Sequence, residues 1–329
     1  MRAVRIQRFG DPSGMEIIDI AHPTPEPDQV VIETAAIGVG GVDAMIRRGT
    51  VADMHPVPAG LIPGSEVAGV VSEVGADVDA SWVGRRVWAF TGIGGGYCAF
   101  ALARVPDIAA LPDELSFVDA VAVGGAGPVA YFALAHAHFG SADSVLVRGG
   151  SGSIGIATVE LAAAAGAKVV AVTTSSRDRG QRLGELGATH ILDREGNGDP
   201  DAPTHFDVII DIVGGDAVPE FIDRLTPNGR MVIAGMVAGP VPEDVGARLL
   251  GGFQLSRSLA TFSLDTIGED AKVVVRRQQF DAVTRGALHA VVQDVLPLER
   301  AADAHRLMDA GQVFGRIVLT PSSDAWVDG

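Results

Sequence analysis

With 329 residues the chain exceeds what one small core organises, and two domains are expected. A formal net charge of −16 with no long basic run argues against the cationic surfaces that bind nucleic acids or anionic membranes. The single cysteine, Cys98, permits no internal disulfide and no Cys-based structural zinc site, and is expected to be a small apolar filler.

Along the chain, Met1–Ile6 runs directly into alternating residues without an apolar leader. The longer apolar stretches carry polar interruptions such as Glu160 and Lys168. No membrane span is read from them, and a cytoplasmic location is the expectation. Up to about residue 120 the pattern is β-rich. Short runs at 30–35, 67–75 and 82–89 are punctuated by Gly and Pro, as in a compact barrel-like domain. From about residue 121 apolar β runs (144–147, 168–173, 190–193, 207–211, 230–234) alternate with helical segments (154–165, 179–186, 217–225). Near-continuous apolar strands alternating with helices predict a parallel sheet covered on both faces. The end of the chain is mixed, with an amphipathic helix over 298–310 and a final strand over 316–320. The expected division is residues 1–120 with 256–329, and residues 121–255.

The most informative segment runs from Ser144 to Gly155. A strand enters Gly150-x-Gly152-x-x-Gly155, and a helix leaves it. The first glycine makes a turn, the second lets a pyrophosphate approach the backbone, and the third lets helix and strand pack closely. The opening of the helix supplies free N–H groups and the positive end of a dipole to phosphates. Gly150, Ser151, Gly152, Ser153, Ile154 and Gly155 are therefore the expected phosphate-binding residues of a dinucleotide site.

The next strand selects the cofactor. An NAD site places an acidic residue roughly 20 residues beyond the glycines, on the ribose hydroxyls. Here that strand ends Thr173-Thr174-Ser175-Ser176-Arg177-Asp178-Arg179, where Asp178 sits later and reads as the start of the next helix, and Arg177 and Arg179 read in the alternative as a solvated face. Hydroxyls and a guanidinium suit a 2′-phosphate instead, so NADPH is expected, with Thr173, Thr174, Ser175 and Arg177 as its contacts.

These features, with the opening Met1-Arg2-Ala3-Val4, the segments Ala36–Gly49, Pro63–Val71 and Gly187–His190, and the closing Ala304–Met308 and Phe314–Leu319, resemble the zinc-independent branch of the medium-chain dehydrogenase/reductases, the quinone oxidoreductases related to zeta-crystallin. The resemblance spans nearly the whole chain. It implies an α/β fold, a Rossmann doubly wound parallel sheet plus a discontinuous GroES-like β-rich catalytic domain, with an active-site cleft between them. It also implies a homodimer. The zinc branch has a Cys ligand where Gly40 stands and a His ligand where Ser65 stands, so no metal site is expected. Cofactor contacts are implied for Val129, Arg194, Val213, Gly235, Phe314 and Arg316. Arg194 replaces a Tyr and would add positive charge near the adenosine phosphate. Gly40, Met45 and Val129 depart from the Asn, Tyr and Thr often found in the family at the nicotinamide end.

For the chemistry, Asp43 and Tyr97 are the candidate catalytic residues. Asp43 matches the family's motif yet reads first as a loop stabiliser, and Tyr97 reads equally as a packing residue of the β domain. Glu66 reads as half of a buried ion pair. The expected activity is NADPH-dependent hydride transfer to a small molecule, a quinone or an α,β-unsaturated carbonyl. The altered nicotinamide end keeps two alternatives open. One is an enoyl-thioester reductase or a biosynthetic enzyme with changed chemistry on the same fold. The other is a sensor that binds NADPH without turnover.

Overall fold

A computed structural model describes residues 1–50, 58 and 60–321. The chain divides into two units, Met1–Gly125 with Glu269–Gly329, and Ala126–Gly268.

The first unit opens with an antiparallel pair, β1 (Arg2–Ile6) and β2 (Met15–Asp19). It continues through β3 (Gln29–Val39), α1 (Gly41–Arg48), β4 (Glu66–Val74), β5 (Arg86–Phe90), β6 (Phe100–Arg104), β7 (Ile108–Ala110) and α2 (Phe117–Val123). Residues of β3 and β4 are buried on both faces (Val30, Ile32, Ile37, Val67 and Val71), because these strands lie centrally in a seven-stranded sheet. The strand expected over 82–89 begins only at Arg86. Ala80–Trp82 forms a 3-10 turn, and Gly84 sits in the left-handed region (φ 82°), which β-strand pairing does not admit.

The second unit contains α3 (Ala126–His136), β8 (Ser144–Arg148), α4 (Ser153–Ala164), β9 (Val169–Thr173), α5 (Arg177–Glu185), β10 (His190–Leu192), β11 (Phe206–Asp211), α6 (Val218–Asp223), β12 (Leu225–Ile233), α7 (Val245–Gly251) and β13 (Ser258–Thr261). Its strands form one parallel sheet in the order β10-β9-β8-β11-β12-β13, the doubly wound arrangement the apolar runs predict. Helix α4 buries seven of its 12 residues and exposes only Ala164, so its apolar residues are not confined to one stripe.

The chain then returns to the first unit with α8 (Glu269–Thr284), β14 (Val292–Pro297), α9 (Ala301–Asp309) and β15 (Arg316–Thr320). β15 pairs antiparallel with β3, so the final strand closes the sheet begun near the N-terminus. The amphipathic segment expected over 298–310 is a 3-10 turn, Leu298–Arg300, followed by α9.

The division differs from the expected boundaries at two places. Helix α2 packs on β3 and β4 and belongs to the first unit, which therefore runs to Gly125. Strand β13, paired with β12, adds a sixth strand to the parallel sheet, so the second unit runs to Gly268 rather than residue 255. Among the described residues one run, Phe117–His136, is long and apolar enough to cross a membrane by length and composition. It is 61% buried and split between the two units.

Candidate dinucleotide site and buried charge cluster

In the glycine turn of the second unit the left-handed residue is Gly149, not Gly150 as the motif suggests. Gly149, just before the motif, takes the left-handed conformation (φ 90°) that starts the turn. A Cβ at Gly150 would lie 1.8 Å from Val172 Cγ2, and one at Gly155 would lie 2.4 Å from the Gly149 carbonyl oxygen. Both glycines are therefore fixed by packing of the turn against β9 and α4. A Cβ at Gly152 would meet nothing within 4 Å, so this position is open on the side where the helix begins. Gly152 is the N-cap of α4, and no side chain caps that helix. A 12-residue helix opening beside an unencumbered glycine fits a pyrophosphate.

The end of β9 is tied to this turn. Gly149 N–H donates to the Thr173 hydroxyl (3.1 Å), and Gly150 N–H to the Thr173 carbonyl (3.3 Å). Ser151 and Thr174 share a hydroxyl–hydroxyl bond (3.1 Å). Thr173 thus spends its hydroxyl oxygen within the fold, and its side chain is buried. Beyond it, Ser176 caps α5 through Arg179 N–H, and Arg179 Nη1 donates to Ser175 (3.4 Å). Partial burial draws the Arg179 pKa below its ordinary value, and the nearby charges of Arg194 and Arg182 draw it down further. Arg179 and Arg182 stand on α5, which follows β9, and Arg194 follows β10, the strand paired with β9, while Arg177 is exposed. The sequence reading names Arg177, Arg179 and Arg194 in this region; Arg182 reads there only as part of a charged helix.

Val213 lies beside the turn: a Cβ at Gly149 would fall 2.9 Å from its Cγ2. Its N–H donates to Asp211 (2.8 Å). Gly235 packs on the Ile212 carbonyl, 2.7 Å from its would-be Cβ. Val129 is half-buried on α3. Asp211 also forms a buried pair with Arg148 directly opposite it on β8 (2.9 Å), which sequence reading did not find.

In the first unit, Gly40, Asp43, Ser65, Glu66 and Arg316 come together. Asp43 Oδ2 accepts from Gly40 N–H (2.7 Å) and so holds the opening of α1. Burial pushes the Asp43 carboxyl up to about 6, opposed by that bond, by Arg316 and by Ser65. Arg316 pairs with Glu66. Its guanidinium stands against Gly38 and Gly40, where a Cβ on Gly40 would lie 3.4 Å from Nη1. Burial lowers the Arg316 pKa to about 10, while Asp43 works to raise it. The expected ion pair of Glu66 thus has Arg316 as its partner. Phe314 is packed inside this unit, with its N–H on Gln293 (3.2 Å).

The donor set here does not suit zinc. Gly40 offers no side chain, Ser65 is a poor ligand, and a guanidinium already lies against Gly40 and Glu66. No group of three or more His, Cys, Asp or Glu able to hold a metal occurs among the described residues.

Tyr97 lies in the core of the β unit, near enough to Asp43 to feel its charge. Its hydroxyl is 3.0 Å from His305 Nε2, and Arg47 Nε donates to His305 Nδ1 (3.4 Å). Arg47 also holds Asp309 through two bonds (2.6 and 2.7 Å). Burial, helped by Arg47, pulls His305 down to about 3, so the imidazole is neutral, with Nε2–H facing the phenol. Burial, with Asp43 adding to it, raises the Tyr97 phenol well above its ordinary value. Cys98 is buried beside Tyr97 and its thiol is pushed up to about 12, as befits a filler.

Known proteins share this architecture. A family model for the alcohol dehydrogenase GroES-like domain matches residues 26–139, and one for zinc-binding dehydrogenases matches residues 186–319. The chain is 33% identical to the quinone oxidoreductase of Mus musculus, over 97% of each chain. It is 30% identical to a 2-haloacrylate reductase of Burkholderia, over 98% of this chain and 99% of that one. A mycobacterial protein solved in complex with NADPH superimposes with a TM-score of 0.87 at 26% identity, covering 98% of this chain and 100% of that one. Identity at this level along the full length, on a parallel dinucleotide-type sheet joined to a GroES-like unit, places the chain in the quinone oxidoreductase family of medium-chain dehydrogenase/reductases.

Proposed function

We propose that the chain is a zinc-free, NADPH-dependent oxidoreductase whose acceptor is a quinone or another α,β-unsaturated carbonyl. The observation that carries this reading is the open Gly152 at the uncapped start of α4, with the Arg179, Arg182 and Arg194 charges gathered by the neighbouring strand. The NADPH complex of the mycobacterial relative supports the cofactor, and the names of the mouse and Burkholderia relatives support the acceptor class.

When bound, NADPH supplies a hydride to an electron-poor carbon. The amides that open α4 hold the pyrophosphate, and the guanidinium groups at α5 and beyond β10 hold the 2′-phosphate. Arg316, held by Glu66 beside Gly40, is the cation this reading places at the reacting end. It keeps positive charge there without a metal. Tyr97 is assigned to the core, since its hydroxyl is already engaged by His305. Solvent then delivers the proton that completes reduction.

Mixing the purified protein with NADPH or NADH and a panel of quinones and enones tests the reading by loss of nicotinamide absorbance. Consumption of NADPH well ahead of NADH is expected, and no consumption with any acceptor overturns the assignment. Replacing Arg177 and Arg179 together by Ala is expected to weaken NADPH at least about 10-fold while leaving NADH within about 2-fold, since only NADPH carries the 2′-phosphate. Equal losses in a titration calorimeter would place 2′-phosphate recognition elsewhere.

The same reading includes a homodimer formed through β13. This strand ends the parallel sheet, and Leu250 and Phe253, 70% and 77% exposed, precede it. An edge strand beside exposed apolar side chains invites pairing with an identical edge. Phe253→Glu is expected to halve the mass measured by light scattering; a dimer undisturbed by it would move the interface to another face.

A further inference from the structure

Arg276 is a cation on α8 with only 5% of its surface exposed, yet no carboxylate of the described residues pairs with it. Glu269 and Asp107 act on it only as distant charges, and burial lowers its pKa to about 10. A buried cation without an ion pair is costly, so its remaining contacts need an account. There are two. Its guanidinium lies 4.0 Å from the centre of the Trp88 ring, and its Nε donates to the Gly124 carbonyl (2.8 Å).

Trp88 is itself 1% exposed, and its Nε1–H donates to Glu66 Oε2 (3.0 Å). The other oxygen, Oε1, meets Arg316. No side chain fits between these groups. A Cβ at Gly124 would lie 2.4 Å from Trp88 Nε1, and one at Gly125 would lie 2.9 Å from Glu66 Oε2. Both glycines are therefore packed directly on the indole and the carboxylate, and Arg276 fixes the first of them by its carbonyl.

From this arrangement we infer that Arg276, acting through Trp88, is a positioning residue for the Glu66–Arg316 pair and hence for the charge beside Gly40. The inference rests on the proposed oxidoreductase reading. The guanidinium anchors the indole, which fixes one carboxylate oxygen, so the other presents Arg316 in a single place. Small displacements of charged groups at a reacting centre cost rate rather than ground-state binding. The dinucleotide's phosphates rest on the other unit, so its affinity is expected to be spared.

The test uses Arg276→Met, which keeps length and removes charge, Arg276→Lys, which keeps a cation for the ring and a donor for the carbonyl, and Trp88→Phe, which keeps the ring and removes the donor. Arg276→Met and Trp88→Phe are expected to lower kcat about 10-fold with the NADPH dissociation constant, measured by direct titration, within about 2-fold; Arg276→Lys is expected to recover kcat to within about 3-fold of the original. If kcat is unchanged in Arg276→Met, or if Lys restores nothing, the role is packing alone and the inference is overturned. Should Arg276→Met fail to fold, Trp88→Phe and Arg276→Lys decide the matter by the same readouts. A stability cycle between Arg276→Met and Glu66→Gln, or Arg276→Lys and Glu66→Gln if the former does not fold, needs no turnover. Non-additive effects that vanish in a Trp88→Phe background support the relay, and additive effects overturn it. An unmodified protein that consumes no NADPH would defeat the proposed function and with it the catalytic part of the inference, leaving the cycle to judge the relay itself.

Discussion

Asp211→Ala is expected to destabilise the second unit by about 3–5 kcal/mol, the most damaging single substitution considered for its fold. The side chain is fully buried, and Arg148, its partner in register on β8, is 5% exposed. Asp211 Oδ2 takes the Arg148 guanidinium, while Oδ1 accepts from Val213 and Gly214 N–H (2.8 and 3.1 Å). Burial lifts the Asp211 carboxyl above its ordinary range, and Arg148 only partly opposes this. The pair is therefore not a large net stabiliser; the damage comes from breaking it. Alanine would strand Arg148 in the sheet with only the Gly214 carbonyl (2.8 Å) and the Phe221 ring for company. It would also release the loop after β11. Urea unfolding followed by far-UV circular dichroism checks this. A matched Arg148→Met with Asp211→Leu change is expected to recover most of the loss, because it leaves no unpaired charge. A single Asp211→Ala effect below about 1 kcal/mol would mean that water reaches the site.

The sequence showed the elements whose pattern follows from burial on two faces. Strands β8, β9 and β11 and the end of β12, Met231–Ile233, are short apolar runs because the sheet is covered on both sides, and Gly150 and Gly155 between β8 and α4 are required by packing of the turn itself. Helix α8 was not recognised. Its inward residues are Val275, Arg276, Gln279 and Phe280, so half of the face that should look apolar is polar. The same cause hid the burial of Arg276, since a guanidinium in a helix reads as solvated until a ring and a carbonyl are seen around it. Arg148 and Asp211 end their strands as ordinary terminal charges, and only the parallel register sets them face to face. The candidate site was legible in part for a similar reason. Local motifs reveal the glycine turn between β8 and α4, whereas the Glu66–Arg316 pair joins β4 to β15 across most of the chain. The loop-holding reading of Asp43 has its counterpart in the bond from Gly40 N–H, which ties the side chain to the opening of α1.

Gly152→Ala offers the sharpest test of the dinucleotide reading, because the protein and the ligand respond to it differently. The backbone there (φ −86°, ψ 165°) is ordinary for alanine, and the added methyl would meet nothing within 4 Å. Fold stability should fall by no more than about 1 kcal/mol, the scale of a weakened helix cap. A pyrophosphate resting on the opening of α4 would instead meet the methyl where the backbone must be approached closely. NADPH affinity is expected to drop about 100-fold, about 2.8 kcal/mol at 1.4 kcal/mol per tenfold. Gly155→Ala provides the contrast. Its Cβ would fall 2.4 Å from the Gly149 carbonyl oxygen and 2.7 Å from Gly150 Cα, so the turn must shift, and stability and affinity should fall together. Calorimetric titration beside thermal unfolding separates the two cases. If Gly152→Ala binds NADPH as the unmodified protein does, no phosphate rests on that turn, and the open position would have to be explained by folding alone.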